Sequence, residues 1–269
     1  MARPQRRPRT DPAREVAYDV LASVREQDAY TNLVLPQLLR ARGVTGRDAA
    51  FATELVSGTI RRQGSYDAVL AACLDRPLAK VQPSVLDVLR LGAHQLLAMR
   101  VPSHAAVGSS VDLVRRRVGQ GPAGFVNAVL RKVGGHDLDG WLRRVAPDPE
   151  ADPVGYASVA HSHPAWVVRA LAEALGPAAG ELDALLAADN DAPKVTLVAR
   201  PGLATPEELL DAGGTAGHWS PYAVTLPGGD PAALPAVAAG RAGVQDEGSQ
   251  LVALTLARAA VEGRDAQWL

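Results

Sequence analysis

From Asp11 to about Val145, apolar residues recur three and four positions apart in almost every segment, and that spacing confines this half of the chain to a helical bundle. Asp11 is a good N-cap with Pro12 in the first turn, and Val16, Val20, Leu21 and Val24 follow on one face. A short second helix carries Leu35, Leu38 and Leu39. A third opens at Thr45, with Asp48 three residues on, and presents Phe51, Leu55 and Val56. A fourth follows Ser65, with Tyr66, Val69, Leu70 and Cys73 on its core face. Beyond Pro83 come Val85, Val88, Leu89, Leu96 and Met99, and from Ser103 come Val107, Val111 and Val114. The loop Gly119 to Gly124 interrupts the pattern. Phe125, Val126, Val129, Leu130 and Val133 resume it, and Gly134-Gly135 stops it. The expectation is an all-α domain over 11–145, with about seven helices and no strand.

The period then changes. APDPEADPVG (Ala146 to Gly155) combines three prolines with acidic residues and reads as an extended linker, so a domain boundary is expected within 146–160. Helices follow at Pro164 (Val167, Val168, Leu171, Leu175) and around Leu182, Leu185 and Leu186. Val195 to Ala199 and Tyr222 to Leu226 read as strands, Thr205 with Glu208 as a capping box over Pro206, and Asp230-Pro231 as a further helix start. Strands alternating with short helices predict a small α/β unit over 161–242. After Val244 a helix is expected from about Gly248 to Glu262. The segment through Gly263 and Arg264 to Gln267-Trp268-Leu269 then reads as the opening of another α/β domain, and the chain as a fragment.

Charge narrows the function. Met1 to Arg144 holds 22 Lys and Arg against 13 Asp and Glu, whereas Val145 to Leu269 holds 6 against 16. A basic front half favours a polyanion, since Lys and Arg that neutralise phosphates release counterions. No run of 18 apolar residues and no apolar stretch behind the first arginines occurs, so neither a membrane span nor a signal peptide is expected and the location reads as cytoplasmic. No GxGxxG or GxxxxGK[ST] is present. Cys73, the single cysteine, cannot build a thiolate metal cage, and His161 and His163 lack a third ligand, so no metal site is expected. The candidate phosphate contacts are Arg115, Arg116 and Arg117 at one helix end and Arg131 and Lys132 beside Asn127 at another. The arm containing Arg3, Arg6, Arg7 and Arg9 adds to them. The competing reading is that these cations answer helix dipoles.

GPAGFVNAVLRKV (Gly121 to Val133), with AVGSSVDLVRRR before it, resembles the NusB-type RNA-binding fold. RDAAFATELVSGTIRR (Arg47 to Arg62) resembles the matching part of the NusB-like domain of bacterial ribosomal RNA cytosine-C5 methyltransferases. HSHPAWVVRALAEALG (His161 to Gly176) and GVQDEGSQLVA (Gly243 to Ala253) are similar, in the same order, to the joining and pre-cofactor segments of the RsmB (Sun/Fmu) type. RPG at Arg200 to Gly202 departs from that family's usual R-V-N. The resemblance implies a NusB-like bundle, an RRM-like linking domain and, over 243–269, the truncated start of a Rossmann-like methyltransferase domain. It implies a whole protein that uses S-adenosylmethionine to methylate cytosine in 16S rRNA, with no DNA and no membrane as partner. The family's D-x-C-x-x-P-G-G-K and catalytic cysteines are not among these 269 residues, so this chain by itself is expected to be inactive and to bind no cofactor. RNA contacts are expected from Arg6, Arg7, Arg9, Arg61, Arg62, Arg115 to Arg117, Asn127, Arg131 and Lys132, and a border with the cofactor domain at Gln245, Asp246 and Ser249. The alternatives are a non-catalytic NusB-type RNA-binding or antitermination module, and a helical protein-interaction scaffold.

Overall fold

The computed structural model describes residues 11–99 and 101–259, in two compact units, one ending at Asp191 and the other beginning at Ala192. In the first unit, α1 (Pro12–Gln27) is capped by Asp11, which accepts from the Arg14 N–H at 3.1 Å. Then come α2 (Thr31–Ala41), α3 (Gly46–Arg61), α4 (Gln63–Cys73) and α5 (Pro83–Leu97). They are followed by α6 (Ser103–Arg117), α7 (Ala123–Val133) and α8 (Leu138–Val145). The residues that set the helical period form one core: Val16, Val20, Leu55, Leu70, Leu89 and Leu130 are fully buried. Each such side chain contributes about 1.5–3 kcal/mol through burial. Two glycines let helices approach closely. A Cβ on Gly58 would lie 2.2 Å from the His94 ring, and one on Gly92 would lie 2.6 Å from Leu130.

Three details depart from the sequence reading. An eighth helix, α8, is present, held by Trp141, whose indole N–H donates to the Val133 carbonyl at 2.7 Å. The fourth helix does not follow Ser65 but starts before it, at Gln63. Ser65 is buried within it, and its hydroxyl donates to the Val159 carbonyl at 2.6 Å. Residues 146–160 also do not divide the chain. Asp152 caps α9 (Pro153–Ala160) inside the expected linker, and α9, α10 (Ala165–Leu175) and α11 (Leu182–Ala188) belong with the bundle. Ala157, Val168 and Leu186 give these three helices a small core of their own.

The second unit follows as β1 (Thr196–Ala199), α12 (Pro206–Asp211), β2 (Thr215–Ala216), β3 (Ala223–Thr225), α13 (Pro235–Ala238), β4 (Ala242–Val244) and α14 (Glu247–Arg258). Its four strands form an antiparallel sheet in the order β2-β3-β1-β4, with Leu197 opposite both Val224 and Val244. Leu197, Ala199, Val224 and Ala242 pack with Leu209 of α12 and Ala236 of α13. The expected boundary at 242/243 falls inside β4. The helix after it is tied back to the sheet, because the buried Gln250 amide donates to the Leu197 carbonyl. The expected capping box at Thr205 is not formed, since Glu208 instead takes both Arg241 nitrogens at 2.6 and 2.5 Å.

Candidate nucleic-acid interface

The expected phosphate contacts occupy different environments. Arg115, Arg116 and Arg117 form the last turn of α6. Arg116 donates to Glu15 at 2.8 Å, and Arg117 pairs with Asp19 and lies over the Tyr18 ring. Arg42, which the sequence pattern did not single out, pairs with the other oxygen of Asp19. Arg115 is more exposed, 3.4 Å from Asp112. The triple arginine is therefore largely committed to α1. On α7, Arg131 reaches Asn127 at 3.4 Å, and Lys132 donates to the Cys73 carbonyl at 3.1 Å and lies 3.8 Å from Asp75.

The short loop after α6 turns the chain back so that α7 packs along it, and this separates the two clusters. Arg115 to Arg117 end α6, whereas Arg131 is eight residues into α7, about 12 Å along the axis at 1.5 Å per residue. Arg61 and Arg62 end α3 and cap its last turn, half-buried, and among the described residues their guanidiniums make no ion pair or hydrogen bond. Arg6, Arg7 and Arg9 lie outside the described residues.

Beside Arg61 and Arg62 is a buried polar cluster. The Tyr66 hydroxyl and His94 Nδ1 are 2.8 Å apart, and His94 Nε2 sits 3.5 Å from Glu54 Oε1. The carboxylate favours the proton on Nε2, so the hydroxyl donates to Nδ1. Burial, then the Arg62 guanidinium, push the His94 imidazole down to about 4. Burial also raises the Tyr66 phenol. Neither group reaches the surface, so the cluster is a structural neighbour of the arginines.

Further residues join the basic surface. The Arg76 guanidinium lies 5.3 Å from the Phe125 ring centroid, and with Lys80 and Pro122 both line a cavity of about 310 Å³. Trp166 on α10 is 68% exposed. Its signal in the sequence is a phase error, because it falls off the stripe of Val167, Val168, Leu171 and Leu175. Burial raises the Cys73 thiol, which suits neither a nucleophile nor a metal ligand. His161 Nε2 is bonded to Asp183 at 2.7 Å, and His163 lies 3.6 Å from Asp189.

In the second unit a cavity of about 580 Å³ is lined by Val198, Arg200, Tyr222, Gln245, Gln250 and Leu254, among others. Its one charged side chain is a guanidinium. A sulfonium cofactor with an ammonium and two ribose hydroxyls requires carboxylate partners, so these residues do not fit S-adenosylmethionine. Asp246 and Ser249 serve α14 instead. Asp246 accepts from the Ser249 hydroxyl at 2.6 Å and from its N–H at 3.0 Å, and these bonds lower the carboxyl.

Residues 11–134 match the NusB family. Over 91% of this chain and 55% of the other, the fold is like that in the crystal structure of PH0851, at a TM-score of 0.67 and 14% identity, which shows likeness of fold alone. Residues 11–134 of the bundle are thus a NusB-type domain. It is 51% identical, over 99% of its length and 58% of the other's, to a Mycobacterium tuberculosis protein named "Putative methyltransferase Rv1407". It is 32% identical to ribosomal RNA small subunit methyltransferase B of Pseudomonas syringae pv. tomato, over 89% of this chain and 52% of that one. Over most of its length the chain is homologous to ribosomal RNA small subunit methyltransferase B, and it spans a little over half the length of these relatives. Among the described residues no helix is long and apolar enough to cross a membrane.

Proposed function

We propose that this chain is the RNA-binding part of an S-adenosylmethionine-dependent 16S rRNA cytosine-C5 methyltransferase acting in the cytoplasm. In this reading the NusB domain and the helices after it hold structured ribosomal RNA, and the antiparallel unit serves as an RRM-like linking domain. Methyl transfer is left to a region of the whole protein beyond these residues. The observation that carries the reading is the extent of the homology. It runs through α9 to α14 as well as the NusB domain, whereas a free-standing NusB-type module requires only 11–134.

Arg61, Arg62, Arg115, Arg131 and Lys132 supply the charge for phosphate contact, with Arg6, Arg7 and Arg9 adding theirs, while Arg116 and Arg117 mainly brace α6 on α1. No step of the methyl transfer is assigned to residues of this chain. Titration of the 269-residue chain with a 16S rRNA fragment tests the binding half. Affinity is expected to fall steeply between about 50 and 200 mM salt, and salt-independent binding would count against phosphate contact. Incubated with S-adenosylmethionine and the same RNA, the chain is expected to form no 5-methylcytosine. Any product would overturn the division of labour.

A further inference from the structure

The HSHP segment, His161 to Pro164, takes no part in these phosphate contacts, and its structure is unusual. Ser162 has φ +59°, in the left-handed region, where a non-glycine residue is strained. Its hydroxyl oxygen accepts from the N–H groups of Gly64 at 2.8 Å and Ser65 at 3.3 Å, so a residue almost a hundred positions away caps the start of α4. The neighbouring bonds hold the turn in place. Ser158 donates to the His163 carbonyl at 2.6 Å, Asn190 donates to the His161 carbonyl at 2.7 Å, and Ser65 donates to Val159.

The turn brings two things together. On the α4 side, Arg61 and Arg62 stand just before Gly64, their guanidiniums without an ion pair or hydrogen bond among the described residues. On the other side, Trp166 lies four residues beyond Ser162. It exposes 68% of its surface, with the exposed Arg169 one helical turn further along the same face of α10. The chain can separate Arg62 from Gly64 by at most about 7 Å, and Trp166 from Ser162 by at most about 14 Å. Joined by the bond from Gly64 to Ser162, these limits keep the indole and the guanidiniums within the reach of the roughly 4–16 nucleotides that one single-strand binding domain covers. A bare indole within reach of unpaired guanidiniums is the combination that takes a base by stacking and nearby phosphates by charge.

We propose that this corner binds a single-stranded segment of RNA, with Trp166 stacking on an unpaired base and Arg61, Arg62 and Arg169 holding the adjacent phosphates. It rests on the RNA-binding reading above and adds to it a surface and a preference for unpaired RNA. Ser162 is a positioning residue, fixing α10 against α4.

The test measures the affinity of the 269-residue chain for a fluorescein-labelled single-stranded RNA 12-mer and for a duplex of the same length, each across a salt series. Trp166→Ala is expected to weaken the single strand about tenfold and leave the duplex unchanged, with Trp166→Phe restoring most of the loss. Arg61→Gln combined with Arg62→Gln is expected to reduce the single-strand salt slope by about 1.4. Thermal melting should match the unaltered chain in all variants. Affinities within twofold of the unaltered chain for every variant would overturn the surface while leaving RNA binding elsewhere intact. So would equal loss on single strand and duplex in Trp166→Ala, or a loss that Phe does not restore. If the unaltered chain binds neither RNA, the broader reading fails and takes this one with it.

Discussion

The last turns of α3 and α6 both end in consecutive arginines, yet the two clusters are in opposite states. Arg116 and Arg117 are held by Glu15 and Asp19 of α1, with Arg42 sharing Asp19, whereas Arg61 and Arg62 have no such partner among the described residues. Formal charge is higher at the end of α6, with three arginines against two. Available charge is not, because a guanidinium already neutralised by a carboxylate releases little on meeting a phosphate, while a free one adds its whole charge to the local potential. The denser run in the sequence is therefore the one that braces the bundle. The shorter pair is the one poised for a polyanion.

The largest expected effect tests whether Arg62 stands as close to the buried cluster as the structure places it. His94 titrates near 6.5 unfolded and near 4 folded, so the fold favours its neutral form. The contribution is fully present above pH 6.5, shrinks as pH falls toward 4 and is gone below that, a total of about 3 kcal/mol. Urea unfolding across this range should show the loss, and His94→Gln should flatten the curve between pH 6.5 and 4. In Arg62→Gln the titration of His94 followed by NMR should move up toward 6.5, since one of the repelling charges is gone. An unmoved titration would put Arg62 away from the cluster and break the contrast on the α3 side.

A smaller effect sharpens the α6 side. Asp19 is one carboxylate between two guanidiniums, each about a third exposed, so the discounted cost of Asp19→Asn is about 1–2 kcal/mol. The same change frees Arg42 and Arg117 and should tighten RNA binding at low salt. Arg61→Gln with Arg62→Gln should do the reverse, weakening RNA and leaving stability within about 0.5 kcal/mol. If Asp19→Asn left both stability and RNA affinity unchanged, the braced and free clusters would be equivalent.

The contrast also shows which parts could be read from the sequence. The helices of the bundle are legible because burial imposes a 3.6-residue period, and Val16, Leu55, Leu89 and Leu130 all fall in the core that the period predicts. Cys73 is buried for the same reason. The partners of Arg116 and Arg117 are not legible, since Glu15 and Asp19 lie about a hundred residues away and only the packing of α1 against α6 joins them. The prolines of 146–155 suggest a linker from local chemistry alone. They do not reveal that Asp152 restarts a helix or that Ser65 and Ser162 fasten α9 and the turn after it onto α4. Trp166 leaves a trace as an aromatic out of phase on α10, but a single sequence gives no way to rank it against Trp219, which is equally exposed.

Ser162 offers the finest test, because it acts on the placement of Trp166 relative to Arg61 and Arg62 without touching either. Its hydroxyl accepts two backbone N–H groups at the start of α4, and losing a cap of this kind costs about 0.5–1 kcal/mol. Ser162→Ala should therefore lower stability by about that amount. Ser162→Gly, which relieves the strain at φ +59° while also losing the hydroxyl, should cost less. Hydrogen exchange supplies a local readout: the amides of Gly64 and Ser65 should exchange faster in both variants, while those in the middle of α5 stay protected. Faster exchange at Gly64 together with weaker single-strand binding would show that the turn couples the bare indole to the free arginines. Faster exchange with unchanged binding would leave Ser162 as a cap alone, and the α3 cluster would then act without help from α10.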